Sequence, residues 1–188
     1  MKKIIFLFSI LILSCNSKKE NTEIIKVVNK SNEPTVVGDT YFEYDEIDYY
    51  KNDLDEAIVG ELFDNQHKSE LDSLKKGIIL DETPVSITDL NFINHLEAFG
   101  YSKSKIDSAK FDEINEIFRE KKHEEVYGHA CIYVYRDILL FKKKSKVIGI
   151  AKLCFDCDAS VIIGTKVNTN EFGMNGDYEK LRKILWGK

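Results

Sequence analysis

The chain has 188 residues, 43% hydrophobic and 11% aromatic, which suits one packed domain and excludes wholesale disorder. Its 27 Lys and Arg face 32 Asp and Glu, a formal net charge of −5. The lysines alternate with carboxylates, and that argues against nucleic acid as a partner.

Met1-Lys2-Lys3 opens the chain, and Ile4 to Ser14 is apolar apart from Ser9 and Ser14. A basic start, an apolar run of about 7–15 residues and a small residue before a cut mark a secretory signal. A membrane-spanning helix needs roughly 17–25 apolar residues, whereas Asn16-Ser17-Lys18-Lys19-Glu20 follows here at once. The residue after Ser14 is Cys15, and the string Ile12-Leu13-Ser14-Cys15 resembles the lipobox of bacterial lipoproteins. That resemblance implies that the Cys15 sulfur is lipidated, with acyl chains such as palmitate, and that Cys15 becomes the first residue of the mature chain. It also implies an address in the cell envelope, on a bacterial membrane, facing the periplasm or the exterior. Each buried methylene of an acyl chain contributes about 0.8 kcal/mol, so several chains together hold almost permanently. Residues 1–14 are therefore read as a signal peptide, 15–35 as a lipidated tether and 36–188 as a single globular domain.

Ile24-Ile25-Lys26-Val27-Val28 is a short apolar patch within the tether, and Ser31-Asn32-Glu33-Pro34 reads as linker. Asp39 to Lys51 mixes Tyr41, Phe42, Tyr44, Tyr49 and Tyr50 with carboxylates, with no clear period. Asn52 and Asp53 offer an N-cap for a helix whose face is Leu54, Ile58 and Leu62. Asn65 to Lys76 reads as a second helix, with Leu71 and Leu74 inward and Gly77 as its stop. Ser86 or Thr88 caps a third, with Leu90, Ile93, Leu96 and Phe99 inward and Gly100 as a left-handed cap. A fourth runs from Ser108 to Lys122 on the stripe Phe111, Ile114 and Phe118. The period then changes. Ala130–Phe141, Val147–Phe155 and Ser160–Thr165 read as a three-stranded antiparallel meander, and Asp177 caps a last helix with Tyr178, Leu181 and Leu185 inward. The expected fold is thus α+β, with a helical N-terminal half packed on a three-stranded meander and closed by a C-terminal helix.

Cys131, Cys154 and Cys157 remain beside Cys15. A hairpin centred near Lys144-Ser145 brings Cys131 opposite residue 157 or 158, so the three thiols converge at one end of the sheet. His129, two residues before Cys131, shares its face by strand alternation. Three readings stay open besides inert core cysteines. Two thiols form a disulfide, as an oxidising compartment favours, with Cys131–Cys157 as a cross-strand bridge or Cys154–Cys157 closing a short loop. Alternatively, His129, Cys131, Cys154 and Cys157 bind zinc and stabilise the domain. Or Cys154-x-x-Cys157 is a thioredoxin-like redox pair; that chemistry needs the first thiol at a helix N-terminus, and here strand follows with Asp156 and Asp158 as acidic neighbours.

Arg136-Asp137 interrupts an apolar strand and reads as an ion pair, either in a cleft that takes a carboxylate ligand on Arg136 or on an exposed face. The Tyr41–Tyr50 segment suits a cation, a sugar ring or a protein partner, or a half-buried surface. His67, His95 and His123 are scattered, and no G-x-S-x-G or phosphate-binding glycine loop occurs. Asp39 to Gly100 holds 16 acidic and 4 basic residues, while Tyr101 to Lys188 holds 13 acidic and 17 basic.

From Ala130 on, the string with Cys131, Tyr135-Arg136-Asp137, Gly149-Ile150-Ala151-Lys152, Cys154-Phe155-x-Cys157, Gly164-Thr165, Phe172-Gly173 and Gly176-Asp177-Tyr178 resembles that of uncharacterised small bacterial lipoproteins. The resemblance spans the last third and implies no activity. The expectation is an anchored envelope domain, non-catalytic and without cofactor, that binds a partner or serves an accessory role. The alternatives are a thiol redox protein using Cys154 and Cys157, an immunity-type inhibitor of a basic toxin served by the acidic half, and a zinc-stabilised domain.

Overall fold

A computed structural model of the chain describes residues 35–65, 69–122, 130–174 and 176–187. The chain divides into two units, Met1–Lys30 and Ser31–Lys188, and every described residue lies in the second. Cys15, the signal and tether segment before Thr35, and His67, His123 and His129 lie outside the described residues.

In chain order the strands are β1 (Thr35–Thr40), β2 (Glu46–Lys51), β3 (Ser102–Lys105), β4 (Arg119–Lys122), β5 (Asp137–Lys143), β6 (Lys146–Cys154) and β7 (Ala159–Ile163). The helices are α1 (Glu56–Asp64), α2 (Glu70–Ile79), α3 (Phe111–Ile117) and α4 (Asp177–Trp186), with short 3₁₀ turns at Asn91–His95 and Ser108–Lys110. Strands β3-β2-β5-β6-β7 form one antiparallel sheet, and β1 and β4 form a separate ribbon.

This overturns the expected helical half on a three-stranded meander. The sheet has five strands, and the two extra ones, β2 and β3, precede the expected meander. Strand β2 pairs with β3 on one side and β5 on the other. Ile47, Asp48, Tyr49 and Tyr50 are all buried in it. A strand covered on both faces loses the polar alternation that advertises a half-exposed one, so the Asp39–Lys51 period leaves coil and strand both open there. The expected third helix is only the 3₁₀ turn, although Gly100 does take positive φ (96°) after it. The expected fourth helix stops at Ile117. Phe118 leaves the helix, and Arg119–Lys122 pairs with β1 instead.

The central strands β2, β5 and β6 are buried on both faces, and strand alternation sorts their side chains. On β5, Leu139 and Phe141 join Ile114, Leu181 and Ile184 of α3 and α4 in one core. Ile138 and Leu140 join Leu62, Ile78, Ile79, Phe92 and Leu96 in the other. Full burial of each such side chain stabilises by about 1.5–3 kcal/mol. The 3.6-residue stripes turn inward less fully than expected: Ile58 and Leu71 stay exposed, as does Phe63 outside the stripes, and α2 runs through Gly77 to Ile79. Asp55 caps α1, and a Ser69–Asp72 capping box starts α2. The β5–β6 turn is Lys144-Ser145, both with positive φ, as a two-residue hairpin loop requires. Gly149 on β6 has no room for a side chain, because the Phe42 ring occupies the place of its Cβ.

Candidate functional site

The structure joins Cys131 to Cys157, with their Cα atoms 6.0 Å apart, and leaves Cys154 free and buried. The Val134 amide donates to Cys154 Sγ at 3.3 Å, and Tyr135, Cys154 and Cys157 form one small apolar cluster. Bridged sulfurs are not the thiolates that zinc requires, so the bridge and a His129/Cys131/Cys154/Cys157 zinc set exclude each other. Among the described residues no group of three His, Cys, Asp or Glu could hold a metal ion. Cys154 ends strand β6 rather than opening a helix, where a thioredoxin-like pair would place its first thiol.

The bridge pins the stretch 131–136 before it enters β5. This stretch lies outside the sheet ladder; the expected strand from Ala130 begins only at Asp137. Other ties are Tyr135 N–H to Ile79 O at 2.8 Å, the Tyr101 hydroxyl to Tyr135 O at 2.6 Å and Asn52 N–H to Arg136 O at 2.8 Å. Arg136 and Asp137 are thereby delivered to a fixed place. The ladder sets Lys51 of β2 beside Asp137 of β5, and Leu153 of β6 beside Asp137 on the other side. The residues just past that row, together with Trp186 from the end of α4, surround a cleft of about 280 Å³.

Its walls carry charge in pairs. Arg136 Nη1 donates to Asp156 Oδ2 at 2.8 Å, and its Nε donates to Leu54 O at 3.3 Å. Lys51 Nζ lies 2.7 Å from Asp53 Oδ1 and 5.2 Å from the centre of the Trp186 ring. Phe155 meets Trp186 edge-on at 5.2 Å. Asp137 is 2% exposed, and its Oδ1 accepts from the Trp186 indole N–H at 3.1 Å and from the Tyr49 hydroxyl. Burial pushes the Asp137 carboxyl up, against these two hydrogen bonds. Burial, and then the Asp137 charge, also push the Tyr49 phenol up. Arg136 and Asp137 are therefore not paired with each other, as their adjacency suggested. Arg136 faces the cleft edge, while Asp137 anchors the indole.

Chemically the cleft offers a half-exposed ammonium, a guanidinium whose close carboxylate partner is the exposed Asp156, and two aromatic rings. Such a set recognises a carboxylate attached to a small apolar body. Sequence reading named Arg136 but missed Lys51, Asn52, Asp53, Phe155, Asp156 and Trp186 as its neighbours. The register of β2 would have supplied Lys51, Asn52 and Asp53, while Phe155 and Asp156 follow β6 and Trp186 comes from the end of α4. The tyrosine and carboxylate segment is mostly core: Tyr41, Tyr49 and Tyr50 are buried.

Two buried cations escaped the sequence reading as well. Lys152 is 0% exposed. Its Nζ donates to Asp81 O at 2.5 Å, Thr83 O at 2.8 Å and Gly77 O at 3.4 Å, and lies 4.5 Å from the centre of the Tyr135 ring. Burial pushes its pKa down to about 7, against the pull of Asp81 and Glu82. Lys121 lies 2.6 Å from Asp177, with both side chains almost fully enclosed. No transmembrane helix is found among the described residues. The chain matches no protein-family model, no curated protein and no solved structure.

Proposed function

We propose that the chain is a lipid-anchored, non-catalytic binding domain of the bacterial cell envelope, which holds a small carboxylate-bearing ligand in the Arg136 cleft. The observation that carries the reading is the Arg136 guanidinium at the edge of an aromatic-walled cleft, retained there by a solvent-exposed carboxylate that a ligand can displace. The lipobox-like string ending at Cys15 supports the address, and an extracytoplasmic compartment suits a Cys131–Cys157 bridge.

Trp186 is the chain's only tryptophan and lines the cleft, so its fluorescence reports on occupancy. The test is a titration of the full chain with a panel of mono- and dicarboxylates and α-amino acids. A saturable change is expected with at least one carboxylate, weakened at least tenfold in Arg136→Gln. Equal binding by Arg136→Gln, or no response to any carboxylate, rejects the reading. For the anchor, Cys15→Ala should move the protein from the membrane pellet to the soluble fraction, and retention in the pellet rejects it.

A second reading takes a protein partner. Helices α1 and α2 expose Ile58, Phe63 and Leu71 in a stretch rich in Asp and Glu. That suits a basic protein, as an immunity-type inhibitor would meet. Capture of a basic partner that Phe63→Ala abolishes, with Arg136→Gln inert, would favour it over the cleft.

A further inference from the structure

A sheet of five strands has two edges, and here they differ in kind. Edge strand β3 is four residues long, all exposed, and carries Lys103 and Lys105. Those lysines reach across to β2, Lys103 to Asp48 at 3.0 Å and Lys105 to Glu46 at 3.0 Å. Short, lysine-bearing edges resist pairing with another chain. Edge strand β7 has the sequence Ala-Ser-Val-Ile-Ile and no charge, and all five residues are half-buried. Its ladder to β6 runs regularly from Cys154↔Ala159 to Ile150↔Ile163 with no bulge to twist the edge away. The strand is also held firmly. Val161 packs on the Tyr135–Cys154–Cys157 cluster, Ile162 on one core and Ile163 on the other. Among the described residues its outer row of N–H and C=O groups has no backbone partner. Such a row is a template for one more strand.

We infer that β7 is the pairing surface of a two-fold homodimer, in which β7 of one copy lies antiparallel to β7 of another with Val161 opposite Val161, so that two sheets become one of ten strands. Two observations select a second copy. Exposed Asp158 directly precedes β7 and exposed Lys166 follows it. Antiparallel self-pairing brings the acidic start of each strand beside the basic end of its partner. The lysines of β3 block the alternative, a head-to-tail β7–β3 contact, which would grow an open fibre rather than close a dimer. This inference goes beyond the proposed function and does not depend on the cleft.

A five-residue strand pair buries less than the roughly 1,000 Å² of a tight interface. The dimer should therefore be weak in solution, with a dissociation constant on the order of micromolar to sub-millimolar. Sedimentation equilibrium and hydrogen exchange of the full chain, at low and high protein concentration, test it. Association to a dimer is expected, with amides of 159–163 gaining protection as the dimer forms. Lys166→Glu should weaken association by about threefold to thirtyfold, since two attractive pairs become repulsive, and adding Asp158→Lys should restore it. A monomer at every concentration overturns the inference. So does protection of 159–163 that ignores concentration, which would mean that another segment of the same chain covers the edge. A dimer that Lys166→Glu leaves unchanged overturns it too.

Discussion

Lys152 gives the sharpest quantitative test of the electrostatics. In the folded chain its amine sits near 7, against an ordinary value of 10.5. A group whose folded pKa is depressed binds its proton less well in the native state than in the unfolded one. Its contribution to stability is full above the unfolded pKa and is lost as pH falls through the folded one. Between those two values stability should climb with pH, by about 1.4 kcal/mol per unit, to a ceiling of about 5 kcal/mol. Replacement by Met removes the titration. It also strips a donor from the carbonyls of Asp81 and Thr83, whereas Gly77 O keeps Thr83 N–H at 3.1 Å. Two orphaned carbonyls cost about 2–6 kcal/mol together. That loss and the relief of a buried charge nearly cancel at neutral pH, so the absolute change decides nothing and the slope decides everything. Urea unfolding of both proteins at about pH 7.5 and about pH 9 should show the wild type gaining about 2 kcal/mol more than Lys152→Met. Both should carry Cys154→Ala, so that the free thiol cannot exchange with the Cys131–Cys157 bridge at alkaline pH. Parallel pH dependences would refute the reasoning.

Lys121→Met leaves the enclosed Asp177 without its nearest partner; urea unfolding should register a loss of about 3–5 kcal/mol, and a loss under about 1 kcal/mol would count against a buried pair. Burial pushes the phenols of Tyr41 and Tyr135 up to about 12, and those of Tyr44, Tyr49, Tyr101 and Tyr178 further. Raised folded pKa values mean that this stability is intact below about pH 10 and is lost as pH rises through the folded values. The phenolate absorbance of these six tyrosines, of the nine in the chain, should therefore appear together with the change in circular dichroism in one alkaline transition, and most of the total phenolate appearing well before unfolding would contradict it. Gly149→Ala drives a methyl into the Phe42 ring and should cost about 1–3 kcal/mol by overpacking. Phe42→Leu should recover part of that cost in a double-mutant cycle.

The parts of the fold that could be read in advance are those where period and burial agree. The turn at Lys144-Ser145 is one that hairpin chemistry demands, strands β6 and β7 are largely apolar runs of strand length after it, and helix α4 has one face in and one face out. The parts that could not be read break that agreement. Strand β2 carries Asp48 inside the sheet because Lys103 and Lys142 neutralise it there, and the two lysines come from strands on either side. Without knowing those neighbours, a carboxylate in a buried strand leaves coil and strand indistinguishable. The Ser108–Lys122 stripe is sound as far as Ile117. Past that point the pairing of Lys121 and Lys122 with β1 outweighs helix propensity, which is a weak prior against tertiary contact.

The candidate site shows the same limit in a different form. Its chemistry was visible as single letters, since Arg136 in an apolar stretch is conspicuous, but a site is a set of neighbours. Lys51 meets Asp137 only because β2 and β5 pair in one register, and a one-residue slip would turn every β2 side chain to the opposite face. Trp186 meets Asp137 because α4 crosses the same face of the sheet. Arg136 is held at the rim by a stretch with no ladder of its own, tied by the disulfide at one end and by Ile79, Tyr101 and Asn52 near the other. Reduction of Cys131–Cys157 would free one end of that stretch and leave its hydrogen bonds, together with those of the guanidinium to Leu54 and Asp156, to position Arg136. If the Arg136 cleft binds a carboxylate, the affinity should fall on reduction by less than it falls in Arg136→Gln. An affinity wholly insensitive to reduction would place the organising contacts in the hydrogen bonds alone.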